Sequence, residues 1–361
     1  MEHLSLLIKP ASGSCNFKCG YCFYADVLSN RHAGNLGMMR RDTAETLISK
    51  ALKEAKQLLF GFQGGEPTLW GLDNFRYFTE TVDRLNTHGV KIIYTLQTNG
   101  TLLNDDWAIF FREHNFLIGL SLDGYRQLHE LNRPDSYADA MKAAALLKKH
   151  GVEFNILSVV TAETANNVDR LYNFYQAQGF PFLQFIPCID AFGSAKTTLT
   201  TPQYARFLKK LFDYWYRDLM AGKGFSVRYF DNLVDMFMGY PPEQCSMNGT
   251  CAIQGVVESD GGVYPCDFYV LDQWKLGNVH TDSFEYMTSS EAAKKFIAES
   301  RPIPDECAVC RWRKLCNCGC RRDREPLTPG EPSSNRFCQA YQDFFEYSHE
   351  RFEHICMLLS R

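Results

Sequence analysis

The sequence predicts an α/β protein in which a parallel sheet covered by helices precedes a small cysteine-rich domain. Over the first two thirds of the chain, short apolar runs typical of strands alternate with longer amphipathic stretches. After Tyr240-Pro241-Pro242 the sequence changes to short strands, turns and cysteines. The length of 361 residues suits one large barrel with an appendage. Six strand–helix repeats indicate either an open barrel or a doubly wound sheet.

The strands and helices of this alternation can be placed individually. Strands are predicted at Leu4–Ile8, Leu59–Gln63, Lys91–Gln97, Leu117–Leu122, Glu153–Val160 and Phe182–Pro187. Helices with apolar residues at helical spacing are predicted at Arg41–Lys56, Asp106–His114, Ala138–His150, Thr164–Gln178 and Thr201–Met220. Polar or glycine-rich segments follow the first four strands, and folds of this class bind ligands at the carboxyl ends of their strands.

The boundary between the two domains is expected between residues 225 and 245, and we divide the chain into domains 1–235 and 236–361. Residues 256–264 predict a β-hairpin with an Asp-Gly turn. The C-terminal segment Tyr341–Leu359 is predicted to be an aromatic-rich helix.

The net charge, the N-terminal segment and the distribution of apolar residues exclude several classes of function. The net charge of -4, from 38 basic and 42 acidic residues, gives no electrostatic case for binding nucleic acid or a membrane surface. The N-terminus lacks the features of a signal peptide, and the sequence has no apolar run of about 18 residues that could span a membrane. These observations predict a soluble cytoplasmic protein.

The fourteen cysteines are unevenly distributed. Three lie within residues 15–22, one is at position 188, and ten fall between 245 and 356. In a large chain without an export signal, such clusters favour metal ligation or redox chemistry over a disulfide scaffold.

The first cluster, Cys15, Cys19 and Cys22, has the spacing C-x3-C-x2-C. Three thiolates can hold a [4Fe–4S] cluster and leave one iron without a protein ligand, so that this iron can bind a small molecule. A closed zinc site would need a fourth ligand, and His32 is ten residues away.

This motif resembles the signature of the radical S-adenosylmethionine (SAM) superfamily, in which an aromatic residue, here Tyr21, precedes the last cysteine. Gly64-Gly65-Glu66-Pro67 is similar to the second motif of that superfamily, and Glu66 can accept hydrogen bonds from an ammonium group. The resemblance implies a partial (β/α)6 barrel that binds SAM through these residues and Ser121. The alternatives are an ordinary turn at Gly64–Pro67 and an ordinary strand-end serine at Ser121.

The C-terminal cysteines resemble the SPASM extension of radical SAM enzymes. Their spacing is Cys251-x9-Gly261-x4-Cys266, then Cys307-x2-Cys310-x5-Cys316-x3-Cys320, then a distal Cys338. The resemblance implies two auxiliary [4Fe–4S] clusters, one on Cys245, Cys251, Cys266 and Cys320 and the other on Cys307, Cys310, Cys316 and Cys338. Three cysteines remain unassigned: Cys188, Cys318 and Cys356. The alternative is zinc knuckles built from Cys307, Cys310, Cys316 and Cys320.

Several further stretches resemble the anaerobic sulfatase-maturating enzymes, a SPASM subfamily. They include Leu6–Pro10, Cys22–Tyr24, Phe62–Thr68, Leu96–Leu102, Phe154–Leu157, Met247–Cys251 and Tyr264–Val270. The resemblance implies oxidation of a Cys or Ser in a sulfatase polypeptide to Cα-formylglycine. A 5′-deoxyadenosyl radical would remove a Cβ hydrogen, an auxiliary cluster would accept an electron, and a base would take a proton.

The resemblance assigns that base to Asp267, which directly follows the ligand Cys266, and Tyr24, Gln63 and Gln97 are expected to contact the substrate. Asp267 could instead cap a turn, and Tyr24 and Gln63 could serve only in packing. The implied partners are an unfolded or nascent sulfatase polypeptide and a reduced flavodoxin- or ferredoxin-like electron donor, with the enzyme a monomer.

Two other functions stay open at this point. Another SPASM peptide-modifying enzyme, forming thioether or carbon–carbon crosslinks, would share the cofactors and differ in product. A zinc-binding adaptor would use the cysteines as zinc knuckles that bind a protein partner. Whether Cys, Ser or both are oxidised is not encoded in any of these motifs.

Overall fold

The computed structural model of the protein describes residues 1–194, 197–327 and 332–360. The strands are β1 (His3–Ile8), β2 (Gln57–Phe62), β3 (Lys91–Thr98), β4 (Leu117–Ser121), β5 (Phe154–Val160), β6 (Phe182–Pro187), β7 (Ser226–Val227), β8 (Val256–Val257), β9 (Gly262–Tyr264) and β10 (Gly277–Asn278). The six predicted strands are therefore confirmed, each within two residues at either end. Among the described residues, no helix combines the length and apolar composition of a membrane span.

Helices occupy most of the connections between these strands. They are α1 (Phe23–Ser29), α2 (Arg41–Glu54), α3 (Leu72–Leu85), α4 (Asp105–Glu113), α5 (Arg126–Asn132), α6 (Tyr137–His150), α7 (Ala162–Asn166), α8 (Val168–Gln178), α9 (Thr201–Met220), α10 (Arg228–Phe237), α11 (Phe284–Ser289), α12 (Glu291–Ser300), α13 (Asp305–Ala308), α14 (Arg313–Cys316) and α15 (Cys338–Leu359). The sequence prediction did not include α3, which connects β2 to β3.

The chain forms two compact units. The first comprises Met1–Leu122, Glu130–Phe154 and Ala252–Phe296, and the second comprises Asp123–His129, Asn155–Cys251 and Ile297–Arg361. Both units combine segments that are distant in sequence, so neither coincides with a single stretch of the chain. The division into domains 1–235 and 236–361 stays a prediction.

The sheet of the first unit is built mainly from parallel strands. β1 pairs in parallel with β2, β2 with β3 and β3 with β4. β8 adds a parallel pairing on the other side of β1, and β9 and β10 follow it in antiparallel order. The pairing of Val257 with Val263 confirms the predicted hairpin. Because β1 is flanked on both sides, the loop that follows it starts from the interior of this sheet.

Aromatic side chains form the core of the first unit. Phe60 and Phe62 of β2 pack edge-on against Phe78 of α3 at centroid distances of 5.2 and 5.1 Å. Tyr94 of β3 stacks on Phe116 at 4.9 Å. Such pairs bury large apolar surfaces in defined geometry and fix the strands on which the following loops depend.

The second unit has its own parallel strands and its own core. β5 pairs with β6, and β6 pairs with β7. The long helices α9, α10 and α15 pack together through aromatic rings, including Phe212 against Phe230 at 5.3 Å and Phe212 against Phe352 at 4.7 Å. The predicted helix at 201–220 is confirmed, and the predicted C-terminal helix begins three residues earlier than expected, at Cys338. Together the two units confirm the α/β fold class.

Candidate active site

The three-cysteine loop follows β1 and ends where α1 begins. Cys15 is exposed, and Cys19 and Cys22 are half-buried. The Phe17 amide donates a hydrogen bond of 3.4 Å to Cys15 Sγ, and the Cys22 amide donates to the Cys19 carbonyl at 3.2 Å. Backbone amides directed at a cysteine sulfur are one of the means by which proteins tune iron–sulfur clusters.

Residues at the end of α5 hold this loop from one side. The Gly20 amide donates to the Asn132 carbonyl at 2.9 Å. Arg133 donates from Nε to the Tyr21 hydroxyl at 2.6 Å, and its Nη1 lies 3.7 Å from Cys19 Sγ. Tyr21, predicted to contact the cofactor, is thus a partner of Arg133. Sequence reasoning missed Arg133 because a single arginine beyond a helix carries no motif of its own.

The glycines of Gly64-Gly65-Glu66-Pro67 allow this segment to approach the cysteine loop closely. The Gly65 amide donates to the Ser12 carbonyl at 3.0 Å. A Cβ on Gly65 would lie 1.9 Å from the Ser14 carbonyl oxygen, and Gly64 has a φ of +121°. Any side chain at Gly65 would therefore force the two segments apart. The two glycines thus permit a close backbone contact with the cysteine loop.

Glu66 is buried, and several groups already donate hydrogen bonds to it. Its Oε1 accepts bonds from the Thr68 amide and hydroxyl and from the Thr98 hydroxyl, at 3.1, 2.6 and 2.8 Å. Its Oε2 accepts one bond from the Asn99 amide at 2.8 Å. A carboxylate has about four acceptor positions, so Oε2 retains capacity for a further donor. Contact between Glu66 and an ammonium group stays a prediction.

The remaining predicted contact residues end two neighbouring strands. Ser121 is the last residue of β4 and is half-buried. Gln97 lies next to the end of β3 with an exposed side chain, while the neighbouring Thr98 is buried against Glu66. The carboxyl ends of parallel strands meet at one edge of a sheet, which is where Ser121 and Gln97 lie. Their roles stay predictions.

Asp267 lies in the first unit together with the cysteine loop. Gln63, directly after β2, donates from Nε2 to Asp267 Oδ2 at 2.9 Å, and Cys266 Sγ lies 3.6 Å from Oδ1. Burial raises the pKa of Asp267, against the opposing effects of the hydrogen bond from Cys266 and the charge of Lys9. The structure therefore brings two of the predicted site residues, Gln63 and Asp267, into direct contact.

Tyr24, on the first turn of α1, lies beside this pair. The Lys9 ammonium is 5.1 Å from the centre of the Tyr24 ring, and the adjacent Phe23 packs edge-on against Phe268 at 4.8 Å. Burial raises the pKa of the Tyr24 hydroxyl, and the charge of Asp267 acts in the same direction. Tyr24 is thus a neutral residue whose ring lies against a cation.

Lys9 belongs to a buried charge cluster that sequence reasoning missed. Lys9 Nζ and Arg31 Nη1 both donate to Glu258 Oε1, at 2.6 and 2.8 Å, and these three side chains are at most 1% exposed. Arg31 also donates to the Gly34 carbonyl at 2.7 Å and to the Ser12 hydroxyl at 3.2 Å. The cluster connects the cysteine loop to the hairpin that precedes Cys266.

In the second unit, backbone and serine contacts position two of the cysteines assigned to an auxiliary cluster. The Cys251 amide donates to Ser300 Oγ at 2.8 Å. Cys320 Sγ accepts a hydrogen bond of 3.4 Å from the Arg322 amide. Cys245 begins a short 3₁₀ turn, Cys245–Met247, whose last carbonyl accepts a bond of 2.7 Å from Asn317.

Five cysteines act on one another electrostatically at the second proposed cluster site. They are Cys307, Cys310, Cys316, Cys338 and Cys318. Cys338 Sγ accepts a bond of 3.2 Å from Gln342. Cys318 is 5% exposed and adopts a left-handed φ of +69°. Its Sγ lies 3.5 Å from the Sγ of Cys307. Burial raises the pKa of Cys316 to about 12, so ligation there would release a proton.

The donor set fits iron–sulfur chemistry. All fourteen cysteines carry thiols and none forms a disulfide. Cys15, Cys320 and Cys338 each accept a hydrogen bond at sulfur, as cluster ligands do. Within the described ranges, no three His, Cys, Asp or Glu side chains are grouped closely enough to hold a single metal ion.

Comparison with known proteins identifies the family. The model of the radical SAM superfamily matches residues 10–175, and that of an iron–sulfur cluster-binding domain, SPASM, matches residues 245–311. The chain is 42% identical to the cysteine-type anaerobic sulfatase-maturating enzyme of Clostridium novyi (strain NT), over 100% of this chain and 99% of the relative. The chain belongs to the anaerobic sulfatase-maturating enzymes.

Two further relatives place the chain within these sulfatase-maturating enzymes. It is 31% identical to the serine-type enzyme of Bacteroides thetaiotaomicron, over 95% of this chain and 89% of the relative. The solved structure of native anSMEcpe with bound AdoMet and Cp18Cys peptide matches with a TM-score of 0.95 and 43% identity, over 99% of both chains. The radical SAM and SPASM fold is thus confirmed, the protein is an enzyme of sulfatase maturation, and the zinc-binding adaptor hypothesis is wrong.

Proposed function

We propose that this enzyme oxidises a cysteine of an unfolded or nascent sulfatase polypeptide to Cα-formylglycine. The observation that carries the proposal is the carboxylate of Asp267, held by Gln63 at 2.9 Å directly after the ligand Cys266 and in the same unit as the three-cysteine loop. Cysteine is proposed as the oxidised residue because the chain is 42% identical to the cysteine-type relative and 31% identical to the serine-type relative.

The proposal includes three [4Fe–4S] clusters. Cys15, Cys19 and Cys22 would hold the cluster that binds SAM, with Glu66, Tyr21 and Ser121 around the SAM molecule, and the eight assigned C-terminal cysteines would hold two auxiliary clusters. When bound, these groups would supply a 5′-deoxyadenosyl radical to remove a hydrogen from the substrate Cβ and an acceptor for one electron of the resulting carbon radical.

Asp267 takes the proton that the substrate thiol loses when its carbon–sulfur double bond forms. Gln63 fixes Oδ2 of this carboxylate, which leaves Oδ1 as the acceptor. Once Cys266 is a thiolate ligand, it has no proton to donate to Oδ1. The raised pKa of Asp267, caused by burial, makes the carboxylate a stronger base than an exposed aspartate.

Water then hydrolyses the thioaldehyde to the aldehyde and releases sulfide. Tyr24 and Gln97 would contact the peptide, and a reduced flavodoxin- or ferredoxin-like protein would supply the electron that starts each turnover. We propose that the enzyme acts as a monomer.

A paired peptide assay tests the reaction. The reconstituted protein is incubated anaerobically with SAM, a reductant and two sulfatase peptides that differ only in Cys or Ser at the target position. Formylglycine formation lowers the mass by about 18 Da from Cys and about 2 Da from Ser, and a hydrazide probe detects the aldehyde. A loss of about 2 Da from the Cys peptide without a reactive carbonyl would indicate a crosslinking enzyme instead.

A further inference from the structure

Arg324 is a buried cation that has no carboxylate partner among the described residues. Its side chain lies in the second unit and the residue is 4% exposed. Nη1 donates to the Pro302 carbonyl at 3.0 Å and Nη2 to the Ser300 carbonyl at 2.5 Å. Its Nε is buried and, within the described ranges, has no hydrogen-bond partner. A buried charge without a counter-charge is unfavourable, so a cation at this position indicates a nearby negative charge.

Other arginines of this region do have carboxylate partners. Arg321 pairs with Glu299 at 2.8 Å, and Arg336 pairs with Asp190 and with Asp323, the latter at 3.3 Å. Glu299, Asp190 and Asp323 therefore already have arginine partners. Among the described residues, no carboxylate is paired with Arg324.

Two cysteines assigned to one auxiliary cluster are connected to Arg324, one through Ser300 and the other along the chain. Ser300 connects Cys251 to Arg324. Its carbonyl accepts a hydrogen bond from Arg324, and its hydroxyl accepts one from the Cys251 amide. The second is Cys320, which precedes the 3₁₀ turn Arg321–Arg324.

We propose that Arg324 is the counter-charge of the auxiliary cluster on Cys251 and Cys320 and that it raises the reduction potential of that cluster. A cluster held by four thiolates is anionic and gains one more negative charge when it is reduced. A nearby cation stabilises the reduced form more than the oxidised form. Arg324 would thus favour transfer of the substrate electron to this cluster. The inference rests on the proposed function for the existence of the auxiliary clusters.

An electron paramagnetic resonance titration against potential tests this role without any peptide substrate. Cys15, Cys19 and Cys22 are replaced by Ala so that only the auxiliary clusters titrate, and Arg324→Gln and Arg324→Lys are compared in that background. In Arg324→Gln we expect the midpoint potential of one auxiliary cluster to fall by at least about 59 mV, which for one electron is a tenfold change in the reduction equilibrium. Arg324→Lys should restore most of the shift. Arg84→Gln, at an exposed arginine paired with Glu45, is the matched control and should change neither midpoint.

The outcomes separate this inference from the proposed function. Unchanged midpoints in Arg324→Gln with full iron content would overturn the role of Arg324 and leave the clusters intact. Equal shifts of the midpoint potential in the Gln and Lys variants would show that the shape of the side chain matters and its charge does not. That result would also overturn the counter-charge role of Arg324. If Arg324→Gln loses one cluster and Arg324→Lys keeps it at the normal potential, the counter-charge role is supported; loss from both overturns it. Absence of auxiliary iron from the parent protein would instead contradict the proposed function.

Discussion

Two buried basic regions of the molecule differ in how their charge is balanced. In the first unit, Lys9 and Arg31 share Glu258, so that this cluster contains its own carboxylate. In the second unit, Arg324 lies beside proposed cluster ligands, and the described residues provide it with no carboxylate. A region that balances its own charge should be stable without iron, whereas a region that leaves a charge unbalanced should depend on the anion it binds.

The largest effect is expected from Cys15→Ala, Cys19→Ala and Cys22→Ala in one protein. This variant should lose one cluster and form no detectable 5′-deoxyadenosine or aldehyde, because no iron remains to bind SAM. It should keep its auxiliary clusters and its thermal stability, since Lys9, Arg31 and Glu258 are balanced within the protein. Iron analysis measures the retained clusters, and product chromatography measures 5′-deoxyadenosine and the aldehyde. Cys356→Ser, at a thiol outside every proposed site, is the control; loss of all iron from the triple variant would contradict the independence of the two regions.

The next largest effect is expected from Asp267→Asn. Loss of a general base typically costs about 10²- to 10⁴-fold in rate, so formation of the aldehyde should fall by that factor while cleavage of SAM continues. The ratio of aldehyde to 5′-deoxyadenosine measures the uncoupling. Asp272→Asn, at an exposed aspartate that bonds to His32, should leave the ratio unchanged. Aldehyde formation at the parent rate in Asp267→Asn would show that another group removes the proton.

Glu258→Gln tests the balanced cluster directly. Removing this carboxylate leaves two buried cations, and breaking such a pair costs about 3–5 kcal/mol of unfolding free energy. The loss should be the same with and without iron, as measured by urea unfolding. Glu45→Gln, at an exposed carboxylate paired with Arg84, should leave the unfolding free energy nearly unchanged. A much larger loss for Glu258→Gln in iron-free protein would indicate that the first region also depends on bound iron.

The same cluster has a defined pH dependence. Burial acts to raise the pKa of Glu258, but the charges and hydrogen bonds of Lys9 and Arg31 bring it below its ordinary 4.5. A lowered carboxyl pKa contributes stability above the ordinary pKa, and this contribution is lost as the pH falls through the folded value. The stability difference between the parent protein and Glu258→Gln should therefore shrink as the pH is lowered below 4.5.

The smallest effect is expected from Cys318→Ser. Because Cys318 is not among the assigned ligands, this change should keep the full iron content and cost about 1 kcal/mol through a buried hydroxyl. Cys316→Ser, at the neighbouring assigned ligand, should lose one cluster. Loss of iron from Cys318→Ser with retention in the Cys307→Ser variant would show that Cys318, which lies 3.5 Å from Cys307, takes its place as ligand.

The sequence predicted the strands well because each is a short apolar run followed by a polar segment. It did not predict α3, although Phe75, Phe78 and Val82 are spaced for one buried face. Charged and polar residues lie between these apolar positions, and the helix begins after a glycine with a φ of +85° in place of a capping side chain. Its buried face packs against α2 and against the rings of Phe60 and Phe62 on β2, and local periodicity does not report such contacts.

The residues of the candidate site also differ in whether the sequence could predict them. The cysteines, Gly64, Gly65 and Glu66 could be identified because their spacing within short segments is itself the motif. Lys9 and Glu258 are 249 positions apart, and Arg324 meets Ser300 from a separate segment. Such pairs arise only from the folded arrangement of the chain, and no local pattern in the sequence indicates them.

The four bonds to Glu66 also affect how the site meets its ligand. Thr68, Thr98 and Asn99 hold the carboxylate in one orientation. Immobilising a flexible side chain on binding costs about 0.5–1.5 kcal/mol. Here that loss of conformational entropy occurs when the protein folds, so an arriving ligand finds the acceptor already oriented. Its affinity should consequently depend little on reorganisation of the protein and mainly on how well its own donors match Oε2.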